Sequence, residues 1–229
     1  MPKDMDRRFG VVLKELLNHG HRINTVYDIG ANDGRWMNTW KNTFNCKFIM
    51  FEANPNNKCE YSLTPGDRYI HQVLSDKDDK TVKFYSVAHN KENTGDSYYK
   101  ELTNHYDDTR YQVLKTKTLN TIIDEESLPL PDVIKMDTQG AEVDIINGGS
   151  KAFANAKLAL LEVPVMRYNE GAPNFNEYID AMYSAGYIPT GIDHIAMRCA
   201  VVNQMDMVFV KSDINNEINN HRDRYTGFL

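Results

Sequence analysis

Val26-Tyr27-Asp28-Ile29-Gly30-Ala31-Asn32-Asp33-Gly34 is the stretch whose reading decides the fold. An apolar run, Val26-Tyr27-Asp28-Ile29, enters a turn that holds two glycines and then a helix-like segment. Glycine permits tight turning and close backbone approach to a ligand. In an open α/β sheet, ligands bind outside the carboxyl ends of the strands, where Gly30 and Gly34 fall in this reading. The spacing is G-x-x-x-G, not the G-x-G-x-x-G that seats a pyrophosphate on a helix N-terminus. The carboxylate of Asp28 just before the turn suits a cationic ligand group better than a phosphate.

Moving outward, apolar segments alternate with helix-like ones. Residues 4–19 place Met5, Phe9, Val12, Leu13, Leu16 and Leu17 at amphipathic-helix spacing, with Asn18-His19-Gly20 as the stop. Residues 34–44, with Trp36, Met37, Trp40 and Phe44, read as a second helix, and Lys47–Glu52 as a second strand. Asn54 and Pro55 are the cap and first residue of a third helix in this reading. Residues 69–74 read as a third strand. The β-α-β-α-β order implies parallel strands with right-handed crossovers. Residues 82–88 and 111–117 alternate like a small antiparallel insertion around a polar stretch from Asn90 to Asp108. Strands resume at 132–137, 158–163, 187–192 and 207–210, with a helix near 175–185. Met207–Val210 reads as an apolar edge strand, either supporting a dimer or covered by another part of the chain. The result is one doubly wound, mostly parallel α/β domain: an N-terminal helix within 1–22, a core over 23–212 and a polar tail over 213–229. The tail reads either as loose or as docked through Tyr225 and Phe228.

Bulk properties exclude several classes. The 229 residues are ample for a buried core, and 41% hydrophobic with 25% charged is an ordinary globular balance. A net charge of -6 offers no basic surplus for a phosphate backbone, which argues against nonspecific nucleic-acid binding. Cys46, Cys59 and Cys199 form no C-x-x-C pair, so a disulfide framework or cysteine zinc site is not indicated. The charged start precedes no long apolar stretch, which reads as neither signal peptide nor membrane span and points to the cytoplasm.

Two further carboxylates join the glycine turn. Glu52 ends the second strand, where an acidic side chain can accept both ribose hydroxyls. Ser75-Asp76 follows the third strand, where Asp76 can accept from an adenine amine while Val73 or Leu74 covers the ring. A nucleoside with a cationic centre fits this set, as in S-adenosylmethionine.

Asp28-Ile29-Gly30-Ala31-Asn32-Asp33-Gly34, Phe51-Glu52-Ala53-Asn54-Pro55 and Ile134-Lys135-Met136-Asp137-Thr138-Gln139-Gly140-Ala141-Glu142 resemble the FkbM family of methyltransferases. The likeness covers roughly residues 25 to 210. Thr118-Leu119-Asn120 fits too, although Asp is commoner than Asn120 there. The resemblance implies a Rossmann-like class I methyltransferase fold of seven strands with one reversed strand at the edge. It also implies a cofactor site of Asp28, Gly30, Asn32, Gly34, Glu52, Ala53, Ser75, Asp76 and Asp137. It implies O-methylation, usually of a sugar or polyketide-like hydroxyl.

Methyl transfer needs a hydroxyl oxygen aligned about 3 Å from the methyl carbon and a group to take its proton. Asp137 and Glu162 end adjacent strands whose tips lie about 4.8 Å apart. One of them is the candidate base, or together they are oxygen ligands for Mg²⁺. His194, with Asp193 orienting it, is another candidate base. Glu142 reads as a helix cap. Arg167 and Tyr168 read as a substrate loop, and Tyr98, Tyr99, His105 and Tyr106 as a lid. The competing readings are a ribose 2′-O RNA methyltransferase, which lacks a clear lysine pair, and a noncatalytic nucleoside-binding module. An amino-methyltransferase Asn-Pro-Pro-Tyr stretch and a Pro-Cys nucleophile are both missing.

Overall fold

The computed structural model describes residues 7–43, 45–86, 95–102 and 110–220. In chain order the elements are α1 (Arg8–Asn18), β1 (Thr25–Ile29), α2 (Arg35–Lys41), β2 (Lys47–Glu52), β3 (Arg68–His71), β4 (Val73–Leu74), β5 (Thr81–Tyr85) and β6 (Tyr111–Lys117). They continue with α3 (Leu119–Glu125), β7 (Val133–Met136), α4 (Glu142–Gly148), α5 (Ser150–Asn155), β8 (Leu158–Pro164), α6 (Phe175–Ser184), β9 (Tyr187–Arg198), β10 (Val201–Lys211) and α7 (Ser212–Asn220).

Seven strands form one sheet in the order β3-β2-β1-β7-β8-β10-β9. β1 lies near its middle because all five of its residues are buried, as a strand covered on both faces requires. Successive side chains point to opposite faces. Tyr27, Ile49, Ile134 and Leu161 join a core under α3, α4, α5 and α6. Val26, Phe48, Val133 and Leu160 join a second core under α1, α2 and α7. This is the doubly wound, mostly parallel α/β fold that the alternation of strands and helices predicts. β4, β6 and β5 form the small second sheet, whose β5–β6 pair is antiparallel as the alternation predicts.

Several expectations are corrected. No helix follows Asn54: its Oδ1 accepts from the Asn56 amide at 3.0 Å and its carbonyl from Asn57 at 3.1 Å, closing a turn instead. The third strand breaks at Gln72, so β3 stays on β2 while β4 pairs with β6 in the small sheet. Met207–Val210 is not an edge: β10 lies between β8 and β9, antiparallel to both. The reversed strand is therefore one place in from the edge, and β9 is the edge. The β9–β10 hairpin is also longer than its apolar runs, because Asp193, His194, Gln204 and Asp206 extend it as polar strand residues. The expected tail begins as α7, with Ile214 and Ile218 packed on the second core. Met5, Phe44, His105, Tyr106, Tyr225 and Phe228 lie outside the described residues. No helix among the described residues is long and apolar enough to cross a membrane.

Candidate active site

The glycine turn is pressed against the end of β7. Gly30 has φ +76°, and a Cβ there would lie 1.9 Å from the Asp137 carbonyl oxygen. The amides of Gly30 and Ala31 both reach the Phe51 carbonyl, at 2.9 and 3.0 Å. The carboxyl ends of β1, β2 and β7 are thus drawn together around a cavity of about 420 Å³. That lies within the usual range for small-molecule sites, about 300–1,000 Å³.

Glu52 stands on this cavity and is 5% exposed. Its Oε2 accepts from the Asn32 amide at 2.7 Å and its Oε1 from the Asn54 amide at 2.8 Å. Burial raises its pKa, and those two amides oppose the rise. A carboxylate has about four lone-pair positions, so two remain for a diol. Val73, Leu74 and Ile145 supply an apolar wall beside it, and Gly30, Asn32 and Ala53 line the same space.

At the other end stand Asp137 and Glu162, joined by Gln139. The Gln139 Nε2 donates to Asp137 Oδ1 at 2.9 Å and to Glu162 Oε1 at 2.5 Å. Gln204 Nε2 donates to the other Glu162 oxygen. Tyr168 adds its hydroxyl, which donates to Gln204 Oε1 at 3.0 Å. Burial pushes the Glu162 carboxyl well above the usual carboxylate range, and Asp137, Glu142 and Asp206 push it further. Gln139 has φ +55°, a left-handed conformation costing on the order of 1 kcal/mol for a non-glycine residue. Its carbonyl is tied to Ser97 Oγ at 2.9 Å and to the Asn169 amide group. Glu142, 1% exposed, holds this loop by accepting from the Thr138 and Gly140 amides and the Tyr178 hydroxyl. Its role is structural, as the capping reading expects.

Other expected residues lie elsewhere. Asp28 is 0% exposed and does not line the cavity. It faces its cross-strand neighbour Lys135, whose Nζ lies 3.2 Å from Asp28 Oδ1 and 3.9 Å from Asp137 Oδ2 and donates to the Gly30 carbonyl at 3.1 Å. Burial raises the Asp28 carboxyl, and Lys135 partly restrains it. Burial pulls the Lys135 ammonium down, but Asp28 and Asp137 outweigh it and hold the group charged. Gly34 shapes the turn and packs at Cys59 rather than at the cavity. Ser75 and Asp76 do not line the cavity: the Ser75 amide donates to the Lys117 carbonyl, and Asp76 pairs with Lys80. His194 lies within β9, half-exposed and off the cavity, 3.8 Å from Asp206. Asp193 does not orient it, because its Oδ1 accepts from the Phe9 amide at 2.7 Å. Of the expected lid and loop, Tyr98 and Tyr168 line the cavity, while Tyr98 and Tyr99 both donate to Asp144. Arg167 pairs with Glu177 at 3.8 Å. Residues not singled out by sequence also line it, among them Phe84, Asp96, Arg198, Asn203 and Gln204.

A second cavity of about 330 Å³ shares Gly30, Asn32, Asp137 and Glu162 with the first. Trp36, Lys135 and Asp206 form part of its wall. Burial and the charge of Asp137 push the Asp206 carboxyl up to about 6, against the pull of His194. The folded state therefore holds this proton more tightly than the unfolded chain, and stability falls as pH rises from about 4 to about 6. Asp206→Asn removes that fall. Its urea-unfolding free energy should exceed the parent's by about 1–2 kcal/mol at about pH 7 and match it near pH 4. A gain of equal size at both pH values would contradict the assignment.

The residues present fit S-adenosylmethionine: a buried carboxylate for its ribose, an apolar wall for its adenine and carboxylates beside its cationic centre. They do not fit Mg²⁺ as they stand. The Gln139 carboxamide already lies between Asp137 and Glu162, and no group of three or more His, Cys, Asp or Glu is placed to hold a metal among the described residues.

Comparison with known proteins agrees with the geometry. The Methyltransferase FkbM domain family matches residues 28–189. No curated protein matches the chain. A putative hemolysin from Lactococcus lactis shares the fold at 10% identity and a TM-score of 0.50, over 92% of this chain and 94% of that one. Magnesium protoporphyrin IX methyltransferase from Synechocystis PCC 6803, with bound SAM, aligns at 8% identity and a TM-score of 0.47, over 88% of this chain and 76% of that one. With the family spanning most of the sheet and both ends of the cavity, the chain belongs to the FkbM methyltransferases and is an S-adenosylmethionine-dependent methyltransferase.

Proposed function

We propose that the chain methylates a hydroxyl oxygen of a small, polar acceptor, with a sugar as the best fit. The observation that carries this reading is the carboxylate pair Asp137 and Glu162 at the junction of the two cavities. Bound S-adenosylmethionine supplies a methyl group activated by its sulfonium. Glu52 would hold its ribose and Asp137 would lie beside its cationic centre, since both line the cavity. Glu162 takes the acceptor's proton on a carboxylate oxygen. Its raised proton affinity suits that task near neutral pH, where a base of ordinary carboxylate strength is weak. Tyr168, Asn203 and Gln204 offer the hydroxyl and amide groups that bind sugar hydroxyls. Lys135 is committed to Asp28 and the Gly30 carbonyl, so it does not strengthen the ribose 2′-O reading.

Calorimetric titration with S-adenosylmethionine, S-adenosylhomocysteine and NAD tests the cofactor assignment. Saturable binding of the first two and none of NAD is expected. No binding of either adenosyl ligand to folded protein would favour the noncatalytic module instead. Glu52→Ala should weaken S-adenosylhomocysteine binding by about 1–3 kcal/mol, the scale of a hydrogen bond to a charged group. Unchanged affinity in a folded variant would take Glu52 out of the ribose site.

A further inference from the structure

Asp137 just past the end of β7 and Glu162 within neighbouring β8 repel each other unless something positive or proton-donating lies between them. A divalent cation is one answer. Here the space is taken by one carboxamide. The single Nε2 of Gln139 has two hydrogens, and its two contacts, at 2.9 Å to Asp137 Oδ1 and 2.5 Å to Glu162 Oε1, use one for each carboxylate. Gln204 satisfies the far oxygen of Glu162 from the next strand. The backbone of Gln139 is also fixed from outside. Its carbonyl accepts from Ser97 on the segment that lines the cavity and from Asn169 on the loop after β8. Glu142 clamps the amides on either side, at Thr138 and Gly140.

We propose that Gln139 is the positioning residue of this site, its carboxamide bridging Asp137 and Glu162 in the place a divalent cation would take. The proposal rests on reading those two carboxylates as the pair that serves methyl transfer. Its consequence is that the spacing of the pair is set by the protein alone, before cofactor or acceptor arrives. Because Gln139 is held at its carbonyl by two separate loops, the bridge is also the point where the cavity wall and the carboxylate pair meet. Gln139 touches neither reacting atom in this scheme; it acts through its neighbours.

The test is a spectrum of the side-chain amide of Gln139 in the ¹⁵N-labelled full chain, without cofactor or acceptor. Gln139→Gly identifies the signals by their loss, and glycine accepts the left-handed backbone there. We expect both amide protons downfield of the other glutamines. Asp137→Ala should return one of them to the ordinary position, and Glu162→Ala the other. Asp137 is 40% exposed, so its variant carries the test should Glu162→Ala fail to fold. Mg²⁺ added to about 10 mM, above the weak range of oxygen-ligand sites, should leave the wild-type signals in place. Signals that coincide with those of exposed glutamines, or that move saturably with Mg²⁺, would overturn the bridge. Because no methyl donor is present, this result is independent of the calorimetric test: a protein that binds no adenosyl ligand can still show the bridge, and a protein that binds one can lack it.

Discussion

Lys135→Met should destabilise the protein by about 3–5 kcal/mol at neutral pH, the cost of breaking a buried ion pair and leaving one charge uncompensated. Asp28 is fully buried, and Lys135 is its only ion-pair partner among the described residues. Removing the ammonium forces Asp28 either to stay charged without a counter-ion or to take a proton. The sign of the pH dependence follows. Burial already raises the folded carboxyl above its unfolded value, so the native state binds that proton more tightly. The variant's deficit should therefore shrink as pH falls toward the unfolded carboxylate value of about 4 and grow toward neutrality. Adding Asp28→Asn should recover much of the loss, because an amide needs no counter-charge. Urea melts of the two single variants and the double variant close the cycle. A Lys135→Met variant within about 1 kcal/mol of the parent would mean that water or another group solvates Asp28.

The second large effect is steric. Gly30→Ala adds a methyl group whose ideal position is 1.9 Å from the Asp137 carbonyl oxygen, at φ +76°. Backbone must move, since no flexible side-chain end is there to yield. Overpacking costs about 1–3 kcal/mol and the left-handed conformation about 1 more. The displacement also separates the glycine turn from Asp137, so S-adenosylhomocysteine binding should fall at least tenfold in the fraction that folds. Thermal melts and calorimetry measure the two losses separately. A variant with normal affinity would show that the turn and β7 slide apart without consequence for the ligand.

The parts of the site that sequence makes legible are those where local chemistry suffices. Apolar Val26–Ile29 followed by Gly30 can hardly be anything but a buried strand entering a turn. Glu52 at the end of Lys47–Glu52 follows from strand length alone. Asp137 and Glu162 come together because the crossover rules make their apolar strands neighbours, although β8 runs on past Glu162 to Pro164 rather than ending at it. What is not legible depends on contacts between distant segments. Ser75 and Asp76 look correctly placed, but the strand breaks at Gln72, its second half Val73–Leu74 pairs with β6, and Asp76 is taken up by Lys80. Asp28 looks like a ligand group because the lysine that neutralises it is more than a hundred residues away, opposite it in register. His194 and Asp193 look like a pair, yet alternation along β9 sends them to different partners. Gln139 did leave a trace: a residue with two amide hydrogens between Asp137 and a loop glycine. Its value shows only when Glu162 stands on its other side.

The placement of β10 has a consequence for how the chain acquires its site during synthesis. β8 pairs with β10 and not with β9, so its outer edge stays open until Val201–Lys211 has left the ribosome. β9 emerges first but has no place on the sheet until β10 fills the gap, since its partner there is β10. The strand that closes the edge also brings Gln204 to Glu162. An unfinished chain therefore presents an unpaired, apolar strand edge of the kind that other chains can bind, together with a carboxylate lacking one of its donors. Closing the edge and completing the site are one late event, so nascent chains interrupted before it are exposed to chaperones and proteases and hold no finished site.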